Sequence, residues 1–240
     1  GGALVLRFGL GAAVTWVVIG LSCVLASSLL ALAPDRTLRA TPRKDRFAAS
    51  GALLRSKRYL SVIVACGLIQ SSHAFYYAFS TITWRNQGLE ADMVGQLWAF
   101  GVAVEVALLW SLTPIERRIG PEAFILVAAM GAVVRWLAMG FAPEGLALWP
   151  LQALHALSFA AAHVGAMRLI YREAPDDAAA MAQTIYAALS SGLLLGSATV
   201  LSGWLYDLGG ARGYWAMAVI SALGGLCALS MFRFGPARHC

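Results

Sequence analysis

Charge is what this sequence has least of. Only 12% of its 240 residues are Asp, Glu, Lys or Arg, about half the share of a soluble domain, while 60% are apolar. So few charges cannot cover a water-facing surface, and a mean hydropathy of +0.71 points the same way. Cysteine is sparse too: Cys23, Cys66 and Cys227 fall in apolar runs, Cys240 ends the chain, and no pair has metal-ligand spacing. That excludes a disulfide scaffold, and each buried thiol reads as a small hydrophobe. The apolar runs also lack paired acids, a His-x-x-x-His and a Ser/Lys dyad, so an intramembrane enzyme has no chemistry to draw on. No metal or cofactor is expected.

What the chain does have is apolar length. Seven runs, about 9–33, 59–83, 93–112, 122–141, 146–170, 181–206 and 214–232, each hold roughly the 20 residues that carry a helix across about 30 Å of hydrocarbon. They are continuous and rich in Ala and Leu, unlike the short alternating segments of a membrane barrel. Pro34, Pro42, Pro114, Pro121, Pro143, Pro175 and Pro236 fall between or after the runs. Pro150 lies near the start of one, where a missing N–H costs least. The expected fold is an all-α polytopic membrane protein with seven transmembrane helices.

Lys and Arg set the orientation, being retained on the cytoplasmic side. Segment 34–58 holds Arg36, Arg39, Arg43, Lys44, Arg46, Arg55, Lys57 and Arg58. With that segment inside, Arg117, Arg118, Arg168, Arg172, Arg233 and Arg238 fall inside too. Arg7, Arg85 and Arg212 then lie outside, and Arg135 lies within a span. The net charge of +6 is thus a topology signal and no sign of a nucleic-acid partner. The chain opens on Gly1–Gly2 with neither a basic n-region nor a cleavage site. The expected organisation is a fragment: residues 1–33 close an N-terminal bundle, 34–58 form a basic cytoplasmic linker, 59–232 a six-helix C-terminal bundle, and 233–240 a cytoplasmic tail. The rest of the N-terminal bundle would be a missing partner. The linker reads either as a solvated tether or as a contact for anionic headgroups of the lipid bilayer.

A faint internal repeat supports this division. Gln70-Ser-Ser-His73-Ala74 in the second span recurs 82 residues later as Gln152-Ala-Leu-His155-Ala156 in the fifth, with Tyr77 matching Phe159. Secondary transporters are commonly built from three-helix repeats with the substrate site near the midplane between them, and these two spans open the two triplets.

Ionisable groups at membrane depth are costly and usually mark function or a partner. Glu105 is the acid deep in a span, Arg135 the base, and His73, His155 and His163 are intramembrane as well. At a rise of about 1.5 Å per residue, Glu105, His73 and His155 share a layer about 14–18 Å deep, with Arg135 and Gln152 about 9 Å deep and His163 about 25 Å down. A carboxyl group surrounded by hydrocarbon can load and release a proton near neutral pH as its surroundings change, which makes Glu105 the candidate for proton coupling. Arg135 is the candidate anchor for an anionic substrate, since a guanidinium grips a carboxylate through two hydrogen bonds. Against both stands a permanent Glu105–Arg135 pair that merely holds the bundle together, or an Arg135 that snorkels outward. His73 shares a helix face with Gln70, Tyr76 and Tyr77, a polar and aromatic surface suited to a ring-bearing solute. Trp84, Trp136, Trp149, Trp204 and Trp215 read as interfacial anchors. Gly192-Leu-Leu-Leu-Gly196 reads as a close-packing motif within the bundle.

The stretch Ser72-His73-Ala74-Phe75-Tyr76-Tyr77-Ala78-Phe79-Ser80 through Trp84, then Gly88, Gly95, Leu97-Trp98 and Gly101-Val102 to Glu105, resembles the phenylpropionate permease group of the major facilitator superfamily. Val134-Arg135-Trp136, Gln152 to His155, Phe159, His163, Ala166-Met167-Arg168, Gln183 to Tyr186 and Gly203-Trp204-Leu205-Tyr206 extend the resemblance over about 59–232. It implies a secondary active transporter in a cell membrane, such as a bacterial inner membrane. The expected activity is proton-coupled symport of a small organic solute, an aromatic carboxylate such as 3-phenylpropionate. Glu105 would then couple the proton, and His73, Arg135, Gln152, His155, Gln70 and Tyr77 would line the substrate site. Nucleoside or sugar symport is the alternative within the superfamily. A seven-helix receptor fits the span count but not the basic segment after the first span or the repeat. A chain inert without its other half is compatible with the leading reading.

Overall fold

A computed structural model describes residues 51–116, 119–175 and 178–232. The expected span at 9–33, most of the linker and the tail lie outside the described residues. Those described form nine α-helices: α1 (Lys57–Ser71), α2 (Ala74–Asn86), α3 (Ala91–Glu116), α4 (Pro121–Met139), α5 (Leu148–His155), α6 (Ala162–Glu173), α7 (Ala179–Ala187), α8 (Leu195–Gly209) and α9 (Gly213–Met231). No strand occurs among the described residues.

Five stretches are long and apolar enough to cross a membrane: Lys57–Asn86, Ala91–Leu112, Pro121–Met139, Gly145–Glu173 and Ala179–Met231. The last runs for 53 residues and doubles back at Gly210–Arg212, where Gly210 takes a left-handed φ of 55° that only glycine adopts freely. Phe75 meets Tyr206 before the turn and Tyr214 after it, with ring centroids 6.2 and 4.7 Å away. Six helical rods result, close to the last six apolar runs of the sequence.

Three rods are irregular where the sequence shows continuous apolar helix. Between α1 and α2 the ladder breaks at Ser72–His73, where the Ser72 hydroxyl donates to the Ile69 carbonyl (2.6 Å). Such back-bonding competes with the helix and bends it. Between α5 and α6, Ala156–Ala161 forms a π-helical turn, and Ala188–Leu194 forms another between α7 and α8.

One end of the bundle is tied by ions. Arg58, at the start of α1, reaches Glu122 on α4 (2.7 Å) and Glu173 on α6 (2.6 Å), and Arg172 joins the same two acids. At the other end Gln87 donates to the Ala142 carbonyl (2.8 Å). The rods thus alternate in direction between a linker end and a far end.

Two expectations need correction. Gly192 and Gly196 have nothing within 4 Å of a built Cβ, so they do not pack helices together among the described residues. The close approaches are elsewhere: a Cβ on Gly165 would come within 2.9 Å of the Pro121 carbonyl, and one on Gly224 within 2.9 Å of the Ala65 carbonyl. Gly224→Ala is therefore expected to cost about 1–3 kcal/mol by forcing α9 off α1. Gly196→Ala should leave stability unchanged or slightly raised. Apparent Tm of the full-length protein in detergent separates the two, and equal shifts would refute the packing assigned to Gly224. The second correction concerns tryptophan. Trp136 and Trp84 are not boundary anchors but fully enclosed, whereas Trp204 and Trp215 stay exposed. The Trp136 indole N–H donates to the Ser72 hydroxyl (2.9 Å), satisfying its polar handle inside the core.

Candidate functional site

Midway along the rods the intramembrane polar residues meet. Arg135, on α4, has no exposed surface. Its guanidinium lies 4.4 Å from the centre of the Tyr76 ring and 4.5 Å from that of Trp136. Nη1 is 3.0 Å from His155 Nδ1, and Nη2 donates to Gln152 Oε1 (3.3 Å), which also accepts from the Tyr76 hydroxyl (2.7 Å). Every direct partner among the described residues is neutral. Because arginine can only donate, His155 Nδ1 must accept, and the imidazole proton lies on Nε2.

That proton faces Glu105. The Glu105 carboxylate on α3 is 3.6 Å from His155 Nε2, so the neutral imidazole N–H points at it from beyond a good hydrogen-bond distance. The two intramembrane charges are thus connected through His155 and do not touch. A direct Glu105–Arg135 pair is absent, and so is snorkelling of Arg135. Gly101 on the same rod faces Gln152 and His155, where even an added Cβ would make only ordinary van der Waals contact.

His73 holds the rods together beside this chain of contacts. Its Nδ1 meets the Ile69 carbonyl (3.1 Å), which fixes a proton there, and its Nε2 meets the Ser158 hydroxyl (3.1 Å). His155, Trp136, Phe159 and Tyr77 surround the ring, with centroids 5.0 to 6.0 Å away. Both nitrogens are engaged, and His73, like Arg135 and Gln152, has no exposed surface.

The layer also has an open side. Tyr77 is 40% exposed and stacks on Trp98, and Phe159 stacks on His155 with centroids 5.3 Å apart. Below them, toward the linker end, lies a cavity of about 470 Å³ lined by Gln70, Tyr77, Phe159, His163, Gln183 and Tyr186 among others. Of the residues singled out in the sequence, Arg135, Gln152, His155 and Glu105 form one connected group. Gln70 and Tyr77 face the cavity, and His73 lies between. Sequence reasoning missed Ser158, the placement of Tyr76 against Arg135, and the cavity residues Gln183 and Tyr186. Tyr76 follows Arg135 only through a tertiary contact that no spacing reveals.

These rods, long and apolar enough to cross a membrane and with Arg135 buried between them, define a polytopic membrane protein. Residues 4–217 match the MFS_1 like family, and the chain belongs to that family of multi-pass membrane transporters. Over 171 residues it is 34% identical to a protein of Escherichia coli (strain K12) described as a "Probable 3-phenylpropionic acid transporter". That match covers 71% of this chain and 44% of the relative, so the chain spans less than half the relative's length.

Proposed function

We propose that this chain is the C-terminal half of a proton-coupled symporter for a small aromatic carboxylate such as 3-phenylpropionate. The observation that carries the reading is a fully buried Arg135 whose direct partners among the described residues are all neutral, with Glu105 held across His155. While Glu105 is ionised, its charge offsets that of Arg135. Once Glu105 takes up a proton, the buried guanidinium is left without a countercharge, and an anionic solute supplies one. Proton and anion then bind together, and by linkage each raises the affinity for the other. For charges on the order of 8 Å apart at an effective dielectric of 20, the coupling is about 2 kcal/mol, roughly thirtyfold.

In this reading the carboxylate is drawn to Arg135, His155 and Gln152, the ring lies against Tyr77 and Phe159, and His73 is a positioning residue. The open side faces the N-terminal bundle of the same transporter, which supplies the rest of the site. The protein resides in a bacterial inner membrane with linker and C-terminus cytoplasmic, as the basic residues favour. The test is uptake of labelled 3-phenylpropionate by cells expressing the full-length protein, with and without a proton uncoupler. Accumulation that collapses with uncoupler is expected. No uptake at all would sink the substrate class and direct the search to nucleosides, and uptake indifferent to uncoupler would sink proton coupling.

A further inference from the structure

The cavity toward the linker end from Arg135 is lined by two polar groups that the reading above leaves unused. Gln70 Oε1 and the Tyr186 hydroxyl belong to side chains only 7% and 4% exposed that line it; among the described residues the amide oxygen meets no hydrogen-bonding partner, and the phenol has only a weak side-chain contact with Ser190. Ser190, one turn beyond Tyr186, directs its own hydroxyl to the Tyr186 main-chain carbonyl (2.7 Å). Buried polar groups without partners are destabilising and rare. An unpartnered amide oxygen and a weakly engaged phenol lining one hollow point to a ligand group that satisfies both.

The chemistry of that group follows from the lining. Among the described residues no Asp, Glu, Lys or Arg borders the cavity and His163 is its one titratable imidazole, which suits a ligand end without a formal charge. Phe159 and Met167 supply apolar surface, and Phe159 also stacks on His155, so the cavity adjoins the place where the carboxylate would be held. A hydroxyl both donates and accepts, and therefore satisfies either end of the Gln70 amide as well as the Tyr186 phenol.

We infer that the cavity takes the ring of the transported acid and that this ring bears a hydroxyl group, bound by Gln70 and Tyr186. The inference rests on the anionic-solute reading proposed above. A site built to hydrogen-bond a hydroxyl discriminates strongly against the analogue lacking it, because its polar groups are then buried unpaired. This cavity is partly open on one side, so the expected preference is moderate, about tenfold.

The experiment is uptake by the full-length protein of labelled 3-phenylpropionate and its 3- and 4-hydroxyphenyl counterparts, in wild type and Tyr186→Phe. At least one hydroxylated acid should be taken up with a kcat/KM about tenfold above that of the bare acid, and the ratio should fall to about one in Tyr186→Phe. The ratio is read within each variant and so does not depend on expression level. Equal uptake of bare and hydroxylated acids by wild type would overturn this inference and leave the carboxylate symporter standing, with water filling the cavity. Uptake of none of the three would overturn the symporter reading itself.

Discussion

Replacing Glu105 by Gln is expected to abolish proton-driven accumulation while preserving exchange. The substitution keeps the shape of the protonated acid but can neither gain nor lose a proton, so Arg135 stays without its offsetting charge at every pH. In cells expressing the full-length protein, accumulation of labelled 3-phenylpropionate should fall at least tenfold and become insensitive to uncoupler. Counterflow between labelled and unlabelled solute should continue. The pH dependence is equally diagnostic. In wild type the affinity for the anion rises as pH falls and Glu105 protonates, by up to about thirtyfold from the charge coupling estimated above. In Glu105→Gln the affinity should be high and flat across the same range. Uncoupler-sensitive accumulation that survives the substitution would make Glu105 structural and place the coupling group elsewhere in the transporter.

Arg135→Met should be nearly silent in stability and severe in transport. Removing one member of a buried ion pair is strongly destabilising because it leaves the other charge unpaired, whereas no carboxylate touches Arg135 among the described residues. The apparent Tm in detergent should therefore change by no more than a few degrees. Transport should fall at least a hundredfold, since two charge-assisted hydrogen bonds to the solute carboxylate are lost, each worth about 1.5–3 kcal/mol. Arg135→Lys should not restore it, because a single ammonium cannot replace a planar fork that spans His155 Nδ1 and Gln152 Oε1. A large drop in Tm for Arg135→Met, reversed by Arg135→Lys, would assign the residue to the fold instead.

Much of this architecture was legible in the sequence, for a physical reason. A helix that crosses hydrocarbon must stay apolar for its whole length, so the last six runs foretold the rods to within a few residues. Depth was legible too. Counting 1.5 Å per residue put Glu105, His73 and His155 in one layer, and the contact of His155 with each of the other two agrees. Rotation about the helix axis was not legible. Sequence gave Tyr76 and Tyr77 to one face, yet Tyr76 packs under Arg135 while Tyr77 is open on the other side. Trp136 pointed inward for the same reason, and Gly192 and Gly196 turned away from their neighbours. Phase along a rod depends on every turn before it, and the break at Ser72–His73 and the π turns at Ala156–Ala161 and Ala188–Leu194 reset that phase without any mark in an apolar run.

The same irregularities bear on the mechanics of the bundle. His73, at the break, and Ser158, inside the first π turn, are hydrogen-bonded to each other across the two rods (3.1 Å). An interrupted ladder resists bending less than a regular helix. Two interruptions joined at one level are therefore where the rods would bend most easily together. Above that level lie Arg135 and Gln152; below it lie Gln70 and the cavity. On the function proposed above, flexing at that level would alter the distance between the group that would hold a carboxylate and the pocket that would take a ring, so the length of a solute would be measured against the bend of the rods.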